Sequence, residues 1–425
     1  MKAVLNYLAK NPTFKVGGIY TAVSFWDSFI SMTAGILMIR WIEPGELGIW
    51  QSLTIAQLYI GIFEVGITSG LNRELPYSFG RGDKEFGFVL AETTQSYMRL
   101  LSFILSALTF LFCFVLYFLS FDLKIVAGAL VVGIMAAINF YDRYLTVTYR
   151  SNEAFLSLSK VTFIKTIGQI LLLPLVYYVE YYGLIIYSLL VILIFVALKH
   201  FNRPIKVNSM FKIEHFKLLF KTGFPVFVMN YFRSLTTTFN RTIILGFGGV
   251  LQVGLFTPVA AVGTMIDIMP SVLGNFFFPK MNIVFGQTND PKVLWPMALK
   301  LNGLMIILAV PFISIGWFIV PFIMENYFPK YIDSTFAMQL FTFNMLFAGT
   351  LVSHNVLYAI KSYKSSYIFN ISELVVRAGL PLMAVVFFSG NLLTLVVKGY
   401  LISSLILFIL NLYLIKSALF KRINE

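Results

Sequence analysis

Charged side chains lie inside long apolar stretches of this 425-residue chain, and these are the residues most able to do chemistry. An ionised group at the centre of a bilayer costs on the order of 3 kcal/mol on insertion scales. Each is therefore expected either to face a polar cavity or to be paired. The cations are Arg99, Arg143, Lys165, Arg233, Arg241, Arg377 and Lys398, and the acids are Asp27, Glu64, Asp142, Asp267 and Glu373.

Helical periodicity collects several of these residues into polar stripes. Asn230, Arg233 and the Asn240/Arg241 pair follow one another at i, i+3 and i+10/11 on one predicted helix. Similar stripes hold Asp27, Glu64 and Asp267 on three other predicted helices. The pattern predicts a shared hydrophilic cavity, with Arg233 and Arg377 near mid-depth of the membrane.

Alternatives without a direct role stay open for several charges. Glu373 and Arg377, at i and i+4, and the neighbours Asp142 and Arg143 could be neutralised pairs that only fix packing. Lys165, Arg99 and Arg143 lie near one predicted membrane interface and could reach it with their long side chains. For His354 a structural role is the favoured interpretation.

Composition determines which elements must position these residues. The chain is 58% hydrophobic and only 12% charged, whereas soluble domains carry about a quarter charged residues. Its apolar residues come in runs of about twenty, which is typical of helices that cross a membrane. The sequence therefore predicts a polytopic membrane protein rather than a soluble or nucleic-acid-binding one. We expect no metal site, because the chain has one cysteine, Cys113, and three histidines without ligand spacing.

The predicted fold class is all-α with twelve transmembrane helices. Strands are disfavoured because the apolar runs do not alternate with polar residues. The predicted spans are 16–41, 48–72, 96–119, 125–148, 160–179, 182–199, 222–247, 252–278, 296–322, 335–360, 367–388 and 392–415.

The net charge of +13 is a topology signal in this interpretation. Arg40, Lys124 and Lys330 lie in connections assigned to the outer side, and the other Lys and Arg outside the spans lie in segments assigned to the inner side. This bias predicts that both termini are cytoplasmic, in a multi-pass protein of the cytoplasmic membrane.

Two short fragments recur at the same offset. Leu47–Trp50 is echoed by Val253–Phe256, and Phe79–Asp83 by Phe285–Asp290. Parallel repeats of this kind are a recurring plan of secondary transporters, with the substrate site between the halves. The predicted organisation is an N-terminal six-helix half (1–198), an amphipathic cytoplasmic linker (199–221) and a C-terminal six-helix half (222–425), pseudo-symmetric around a central cavity.

At these positions the sequence resembles a known family. Glu43-Pro-Gly-Glu-Leu-Gly-Ile-Trp50 and Gly66-Ile-Thr-Ser-Gly-Leu-Asn-Arg73 look like the first hairpin of the oligosaccharide flippases of the polysaccharide transport family. Gly223-Phe-Pro225, Asn240–Gly246 and Val253–Phe256 look like the equivalent hairpin of the second half. The flippases belong to a superfamily that also holds the multidrug and toxin extruders and the lipid II flippases. The family commonly has Asp where this chain has Asn240.

The resemblance implies a bacterial inner-membrane flippase and not an enzyme. Its substrate would be an undecaprenyl-diphosphate-linked oligosaccharide, such as an O-antigen or capsule repeat unit, moved to the outer leaflet by alternating access. Arginine binds phosphate oxygens through paired hydrogen bonds, so the diphosphate would be held by Arg233, Arg377 and Arg241, with Asn230 and Asn240 beside it. Charge balance, or coupling to H⁺ or Na⁺, would fall to Asp27, Glu64, Asp267 and Glu373.

Membrane lipids and the machinery that polymerises the polysaccharide and sets its chain length are the expected partners, with no cofactor and no nucleic acid. The main alternative is a cation-coupled multidrug antiporter of the same fold. Such a protein would favour acids and aromatic residues in its cavity, so Arg233 and Arg377 argue against it. A membrane-embedded polymerase or glycosyl transferase is disfavoured because the outer connections are short.

Overall fold

The computed structural model describes residues 12–420, except for the side chains of residues 12–15, Thr237, Asn275 and Pro279. Within this range every regular element is a helix, which confirms the predicted all-α class. The residues of both termini, including Lys2 and Lys10, lie outside the described part of the chain, so the predicted location of the termini stays a prediction.

Fourteen α-helices follow one another in this part of the chain. They are α1 (Pro12–Trp41), α2 (Pro44–Ile60), α3 (Ile67–Gly80), α4 (Lys84–Phe118), α5 (Leu123–Ser151), α6 (Phe155–Phe201), α7 (Ile213–Leu255), α8 (Thr257–Thr288), α9 (Leu294–Tyr327), α10 (Thr335–Thr342), α11 (Gly349–Ser353), α12 (Asn355–Ala359), α13 (Tyr363–Phe387) and α14 (Leu392–Phe420).

Nine of the described helical segments are long and apolar enough to cross a membrane, or ten if the bent pair α2–α3 is one span. If the bent pair is counted as one span, the predicted twelve differ from the ten at two places. Helix α6 is counted once, although its 47 residues would extend about 70 Å if straight, more than twice a bilayer core. Helix α7 is not among the nine, because Asn, Arg and Gln residues lower its hydropathy. The number twelve remains a prediction.

The second predicted span, 48–72, is not one helix as expected. Val65 (φ 45°) and Gly66 (φ 82°) are left-handed, and α2 and α3 meet there at an angle of 52°. Backbone in that region cannot continue an α-helix, and only glycine adopts it without steric cost. The break leaves Glu64 at the end of a short 3₁₀ turn, Gly61–Glu64.

Two other helices are interrupted where the sequence predicts boundaries. Glu180 (φ 49°, ψ −120°) breaks α6 between the predicted spans 160–179 and 182–199. Gly249 (φ 71°) breaks α7 just after the predicted end at residue 247. The predicted span 335–360 is instead divided into α10, a 3₁₀ turn, α11 and α12.

The described chain forms two compact units. Unit 1 consists of residues 12–42 and Leu53–Tyr231, and its core packs leucines of α3 to α5 around Met98 and Tyr144. Leu219 belongs to this core, so part of the apolar face predicted for the linker is buried.

Unit 2 consists of Glu43–Ser52 and residues 232–420. Its core joins α8, α9, α11, α12 and α14 through residues such as Met281, Leu301, Val356 and Ile415. The chain therefore contributes the first part of α2 to unit 2 and the first part of α7 to unit 1. The predicted division into 1–198, 199–221 and 222–425 stays a prediction.

Candidate functional site

The polar site of unit 2 is built on an ion pair within one helix. Arg377 and Glu373 lie one turn apart on α13, and Arg377 Nε donates to Glu373 Oε1 at 3.1 Å. Their side chains are only 16% and 14% exposed. A charge buried to this extent is costly unless it is paired, and here the two side chains neutralise each other's charge.

Helix α14 supplies the remaining partners of Arg377. The guanidinium carbon lies 4.3 Å from the centre of the Tyr400 ring, and Nη1 donates to Ser404 Oγ at 3.4 Å. Tyr400 and Ser404 are four residues apart and therefore share a helix face. Close approach of α13 and α14 depends on Gly399, because an added Cβ there would overlap the backbone of Pro381.

An open cavity of about 550 Å³, including its mouth, adjoins this cluster. Its polar wall is formed by Arg377, Glu373 and Asp267, and its aromatic wall by Tyr400 and Phe341, whose rings stack at 5.2 Å. Asn344 completes the polar wall and accepts a hydrogen bond from Ser404 Oγ at 2.8 Å. The arrangement can bind a polar group beside one cation and two carboxylates.

Arg233 differs from Arg377 in having no acid beside it. The residue is exposed, and among the described residues its guanidinium makes no ion pair within 4.0 Å and no hydrogen bond. Asp267 interacts electrostatically with both Arg377 and Arg233. Arg233 is thus available to an anion from outside the protein.

The other predicted binding residues on α7 have separate surroundings. Arg241 Nη1 donates to the neutral Gln51 Oε1 at 2.9 Å, within unit 2. Asn240 is buried, and its Oδ1 has no hydrogen-bond partner in the described part of the chain. Asn230 lies on the same helix one turn before Arg233, and it belongs to unit 1.

Asp27 of unit 1 is neutralised from α6. Lys165 Nζ lies 2.8 Å from Asp27 Oδ2, and Thr166 Oγ1 donates to Asp27 Oδ1 at 2.7 Å. One turn further on each helix, Ser31 and Gln169 form a weaker hydrogen bond. The alternative that Lys165 reaches the interface does not describe its observed contact, because its ammonium pairs with the carboxylate of Asp27.

Glu64 of unit 1 is buried and neutralised from α5. Its carboxylate pairs with Arg143 and accepts a hydrogen bond from Thr68. The left-handed residues Val65 and Gly66 follow it, so the helix break positions this carboxylate. Arg143, like Lys165, is held by an acid.

Asp142 pairs with Lys199 rather than with Arg143. Lys199 Nζ lies 2.8 Å from Asp142 Oδ1, and the lysine is almost completely buried. The alternative of an Asp142/Arg143 pair is thus corrected, since adjacent helix residues point in directions about 100° apart. The Glu373/Arg377 pair is present as that alternative described it.

Sequence reasoning did not find Lys199, Tyr400, Ser404 and Asn344. The sequence places Lys199 at the start of the cytoplasmic linker, because it is a basic residue that follows a long apolar run. The i, i+4 spacing of Tyr400 and Ser404 within an apolar helix was the available signal for a polar face on α14.

His354 has the surroundings of a structural residue. It is buried, its Nδ1 lies 3.0 Å from Asn411 Oδ1, and its ring lies 4.6 Å from that of Phe369. Among the described residues no group of three or more His, Cys, Asp or Glu side chains is placed to hold a metal ion.

Comparisons with known proteins identify the fold. No family model matches the chain, and no curated protein matches it. A solved structure that does match is the inward-facing conformation of a multidrug resistance MATE family transporter of the MOP superfamily. It has a TM-score of 0.66 and 15% identity, over 93% of this chain and 96% of that one.

Two further solved structures are similar over almost the whole chain. The outward-facing conformation of a multidrug resistance MATE family transporter has a TM-score of 0.52 and 16% identity, over 97% of each chain. A MOP superfamily transporter from Pyrococcus furiosus, described as having a binding pocket of reverse polarity, has a TM-score of 0.50 and 18% identity, over 96% of this chain and 97% of that one. The chain therefore has the fold of MATE transporters of the MOP superfamily, and its apolar helices are those of a multi-pass membrane protein.

Proposed function

We propose that this protein is a flippase of the bacterial inner membrane with both termini in the cytoplasm. It would move an undecaprenyl-diphosphate-linked oligosaccharide from the cytoplasmic to the outer leaflet by alternating access. The shared fold supports a transporter, and the arginines of unit 2 support an anionic substrate. The machinery that polymerises the polysaccharide would take up the product.

The observation that carries the proposal is the uncompensated positive charge on α7. Arg233 has no ion pair and Arg241 is bonded to a neutral amide among the described residues. An arginine within a membrane costs on the order of 3 kcal/mol on insertion scales, and an anionic ligand would offset that cost. A diphosphate is such a ligand, since its oxygens accept paired hydrogen bonds from guanidinium groups.

Unit 1 provides the contrast. The three acids of unit 1 that the sequence places in membrane spans each have a cation within 4.0 Å, in the pairs Asp27–Lys165, Glu64–Arg143 and Asp142–Lys199. In unit 2, Arg233 and Arg241 have no such acid among the described residues. Arg233, Arg241 and Arg377 would hold the diphosphate, with Asn230 and Asn240 toward the sugar, while Asp267 and Glu373 balance charge.

Coupling to H⁺ or Na⁺ belongs to the same proposal. Of the five acids that the sequence predicts within the spans, Asp267 is the one without an ion pair within 4.0 Å among the described residues, which makes it the first candidate for binding the ion. Asp27, Glu64 and Glu373 each share their charge with a base, so they would exchange an ion less readily.

Cation-coupled multidrug antiport is the second candidate function. The cavity of unit 2 favours it, because Asp267, Glu373 and the rings of Phe341 and Tyr400 could bind an aromatic cation. Under this alternative Arg377 would only compensate Glu373, and Arg233 would have no role in binding.

Reconstitution separates the two functions. The full chain in proteoliposomes would be assayed for flipping of a fluorescent undecaprenyl-diphosphate oligosaccharide and, in parallel, for ethidium efflux. We expect flipping in the wild type, a loss of about tenfold or more in Arg233→Gln, and a smaller loss in Arg233→Lys, because a charged hydrogen bond contributes about 1.5–3 kcal/mol.

Lys398→Gln is the matched control, since it also removes an exposed membrane cation of unit 2. We expect it to flip at close to the wild-type rate. Flipping that is equally fast in Arg233→Gln would remove Arg233 from the mechanism. Ethidium efflux without flipping would favour the antiporter.

A further inference from the structure

A second polar cluster lies in unit 1, where α6 ends, and no step proposed above uses it. Four side chains, three from α4, α5 and α6 and one from the segment just after α6, form a continuous chain of hydrogen bonds. Arg99 Nη2 lies 3.4 Å from Tyr141 Oη, Tyr141 Oη lies 2.8 Å from His200 Nδ1, and His200 Nε2 lies 3.0 Å from Arg203 Nη1. Residues far apart in sequence thus bring two guanidinium groups to one place.

The surroundings of these two arginines are neutral. Neither forms an ion pair within 4.0 Å in the described part of the chain. Arg99 Nη1 donates to Ser209 Oγ at 2.8 Å, and Arg203 Nη1 donates to the carbonyl of His200 at 2.7 Å. Glu92 is the acid in electrostatic range, and it acts on Tyr144 of the cluster. The cluster therefore carries positive charge that the protein does not neutralise.

The hydrogen-bond roles leave a donor free on Tyr141. A guanidinium can only donate, so His200 Nε2 must accept from Arg203, and the neutral ring then carries its proton on Nδ1. Nδ1–H donates to Tyr141 Oη, which also accepts from Arg99. The oxygen of Tyr141 is the acceptor in both hydrogen bonds, from His200 and from Arg99. The hydroxyl proton of Tyr141 is therefore available to a further acceptor.

Two further donors in the cluster have no partner. Tyr144 is fully buried and stacks on Tyr141 at 5.8 Å, and its hydroxyl makes no hydrogen bond in the described residues. The Nε of Arg203 is likewise buried without an acceptor. Buried polar groups are nearly always hydrogen-bonded, so these donors indicate an acceptor that the described residues do not supply. Several donors around uncompensated positive charge fit a phosphate group.

The neighbouring surface is apolar and indicates the source of the phosphate. Leu100 and Phe103 follow Arg99 on α4, and Phe201 follows His200 on α6. All three are exposed, Phe103 to 73% and Phe201 to 76%. On a membrane protein such side chains meet acyl chains, and basic pockets beside them bind anionic head groups.

We propose that Arg99, Tyr141 and Arg203 form a binding site for the phosphate of an anionic lipid head group at the membrane surface. Arg99 and Arg203 contribute charge and N–H donors, and Tyr141 contributes its free O–H. His200 fixes the orientation of Tyr141 and Arg203. The site lies within unit 1 and does not depend on the proposed flippase activity.

Lipid titration of the full chain in detergent tests this site. Dioleoylphosphatidylglycerol, dioleoylphosphatidylcholine or sodium phosphate would be added, with bound lipid measured by native mass spectrometry and stability by the apparent Tm. We expect phosphatidylglycerol to bind and to raise Tm more than phosphatidylcholine does. Arg99→Gln/Arg203→Gln should weaken phosphatidylglycerol binding about tenfold or more, since charged hydrogen bonds are lost.

Lys206→Gln is the matched control, because it removes one exposed positive charge from the segment that follows Arg203. It should bind phosphatidylglycerol as the wild type does. A Tm increase with sodium phosphate alone, absent in the double variant, would assign the site to soluble phosphate and support the same chemistry. Equal phosphatidylglycerol affinity in the wild type and the double variant overturns the proposal. If the double variant does not fold, the phosphatidylglycerol affinity of Arg99→Gln alone is compared with that of the wild type. Arg99 is exposed, so this substitution should leave the fold intact.

Discussion

Arg377 is a membrane cation that contacts an acid, a hydroxyl group and an aromatic ring. Its guanidinium pairs with Glu373, donates to Ser404 and lies over the ring of Tyr400. Replacing one member of a buried ion pair by a neutral residue leaves the other charge uncompensated, whereas replacing both members leaves no buried charge. Comparing the single and the double variant therefore separates the contribution of the ion pair to stability from its contribution to transport.

The first prediction concerns this pair. We expect Arg377→Gln to destabilise the protein by about 3 kcal/mol, because Glu373 then stays buried without a cation. Glu373→Gln/Arg377→Gln should recover most of that loss, since both buried charges are gone. Apparent Tm in detergent measures the order of the variants. A double variant less stable than Arg377→Gln would mean that the pair does more than neutralise charge.

The flippase proposal adds a functional expectation at the same residue. If Arg377 contacts the diphosphate, the double variant should flip the substrate more slowly than the wild type even though it is stable. Restoring neutrality does not restore the contact with the phosphate. Recovery of both Tm and flipping in the double variant would assign Arg377 to packing alone. The reconstituted flipping assay reads this out.

At the scale of elements, glycine decides how closely helices approach within unit 2. Gly254 at the end of α7 faces the carbonyl of Pro44 at the start of α2, and Gly48 faces the carbonyl of Val250. A Cβ at either glycine would overlap backbone, which cannot turn away as a side chain can. Small residues at such crossings are typical of membrane helices.

The second prediction tests this contact against an open glycine of the same helix. Gly254→Ala should destabilise the protein by about 2 kcal/mol or more, because the backbones must separate. Gly246→Ala is the control, since nothing lies within 4 Å of an added Cβ there. Alanine also favours the helix by up to about 1 kcal/mol. Equal Tm values for the two variants would contradict the close contact.

The third prediction concerns the break in α6. Glu180 has φ 49° and ψ −120°, a conformation that glycine adopts far more readily than residues with a Cβ. Glu180→Gly should therefore raise stability by about 1 kcal/mol, while Glu180→Ala keeps the strain. The next residue, Tyr181, is buried and donates to the carbonyl of Lys124 at 2.9 Å, which anchors the turn. A higher Tm for the alanine variant than for the glycine variant would contradict the strained turn.

At the scale of the whole molecule, the distribution of positive charge predicts orientation. Lysines and arginines outside the spans lie mainly in segments assigned to one side, and the segment between α6 and α7 is among the richest of them. Cytoplasmic segments of membrane proteins carry this excess. The connection between α4 and α5 contains no lysine or arginine before Lys124 and should lie on the opposite side.

The fourth prediction is that these two connections are labelled from opposite sides. In a Cys113→Ser background, Phe121→Cys should react with an impermeant maleimide on intact cells. Lys206→Cys should react only after the membrane is opened. Both residues are exposed, so access to the reagent does not depend on unfolding. Labelling of both cysteines on intact cells would overturn the predicted span count, since one missed helix reverses every later connection.

Much of the fold follows from local sequence. Runs of about twenty apolar residues predict helices because a backbone in hydrocarbon must satisfy its own hydrogen bonds. Helices lie at every predicted span, although spans 48–72 and 335–360 are interrupted, and two longer helices break near predicted boundaries, at residues 180 and 249. The bend at Val65 and Gly66 was missed, since one glycine in an apolar run does not show which φ it will adopt.

For the candidate site, the sequence predicts some features and only the tertiary structure determines others. The presence of membrane charges, and the Glu373/Arg377 pair one turn apart, could be predicted because helical spacing is a local property. Only the tertiary structure assigned Asp27 to Lys165, 138 residues away, and Glu64 to Arg143, 79 residues away. Such pairs depend on which helices pack together. Sequence alone determined that charges would need partners in the membrane, and packing decided that Arg233 has none among the described side chains.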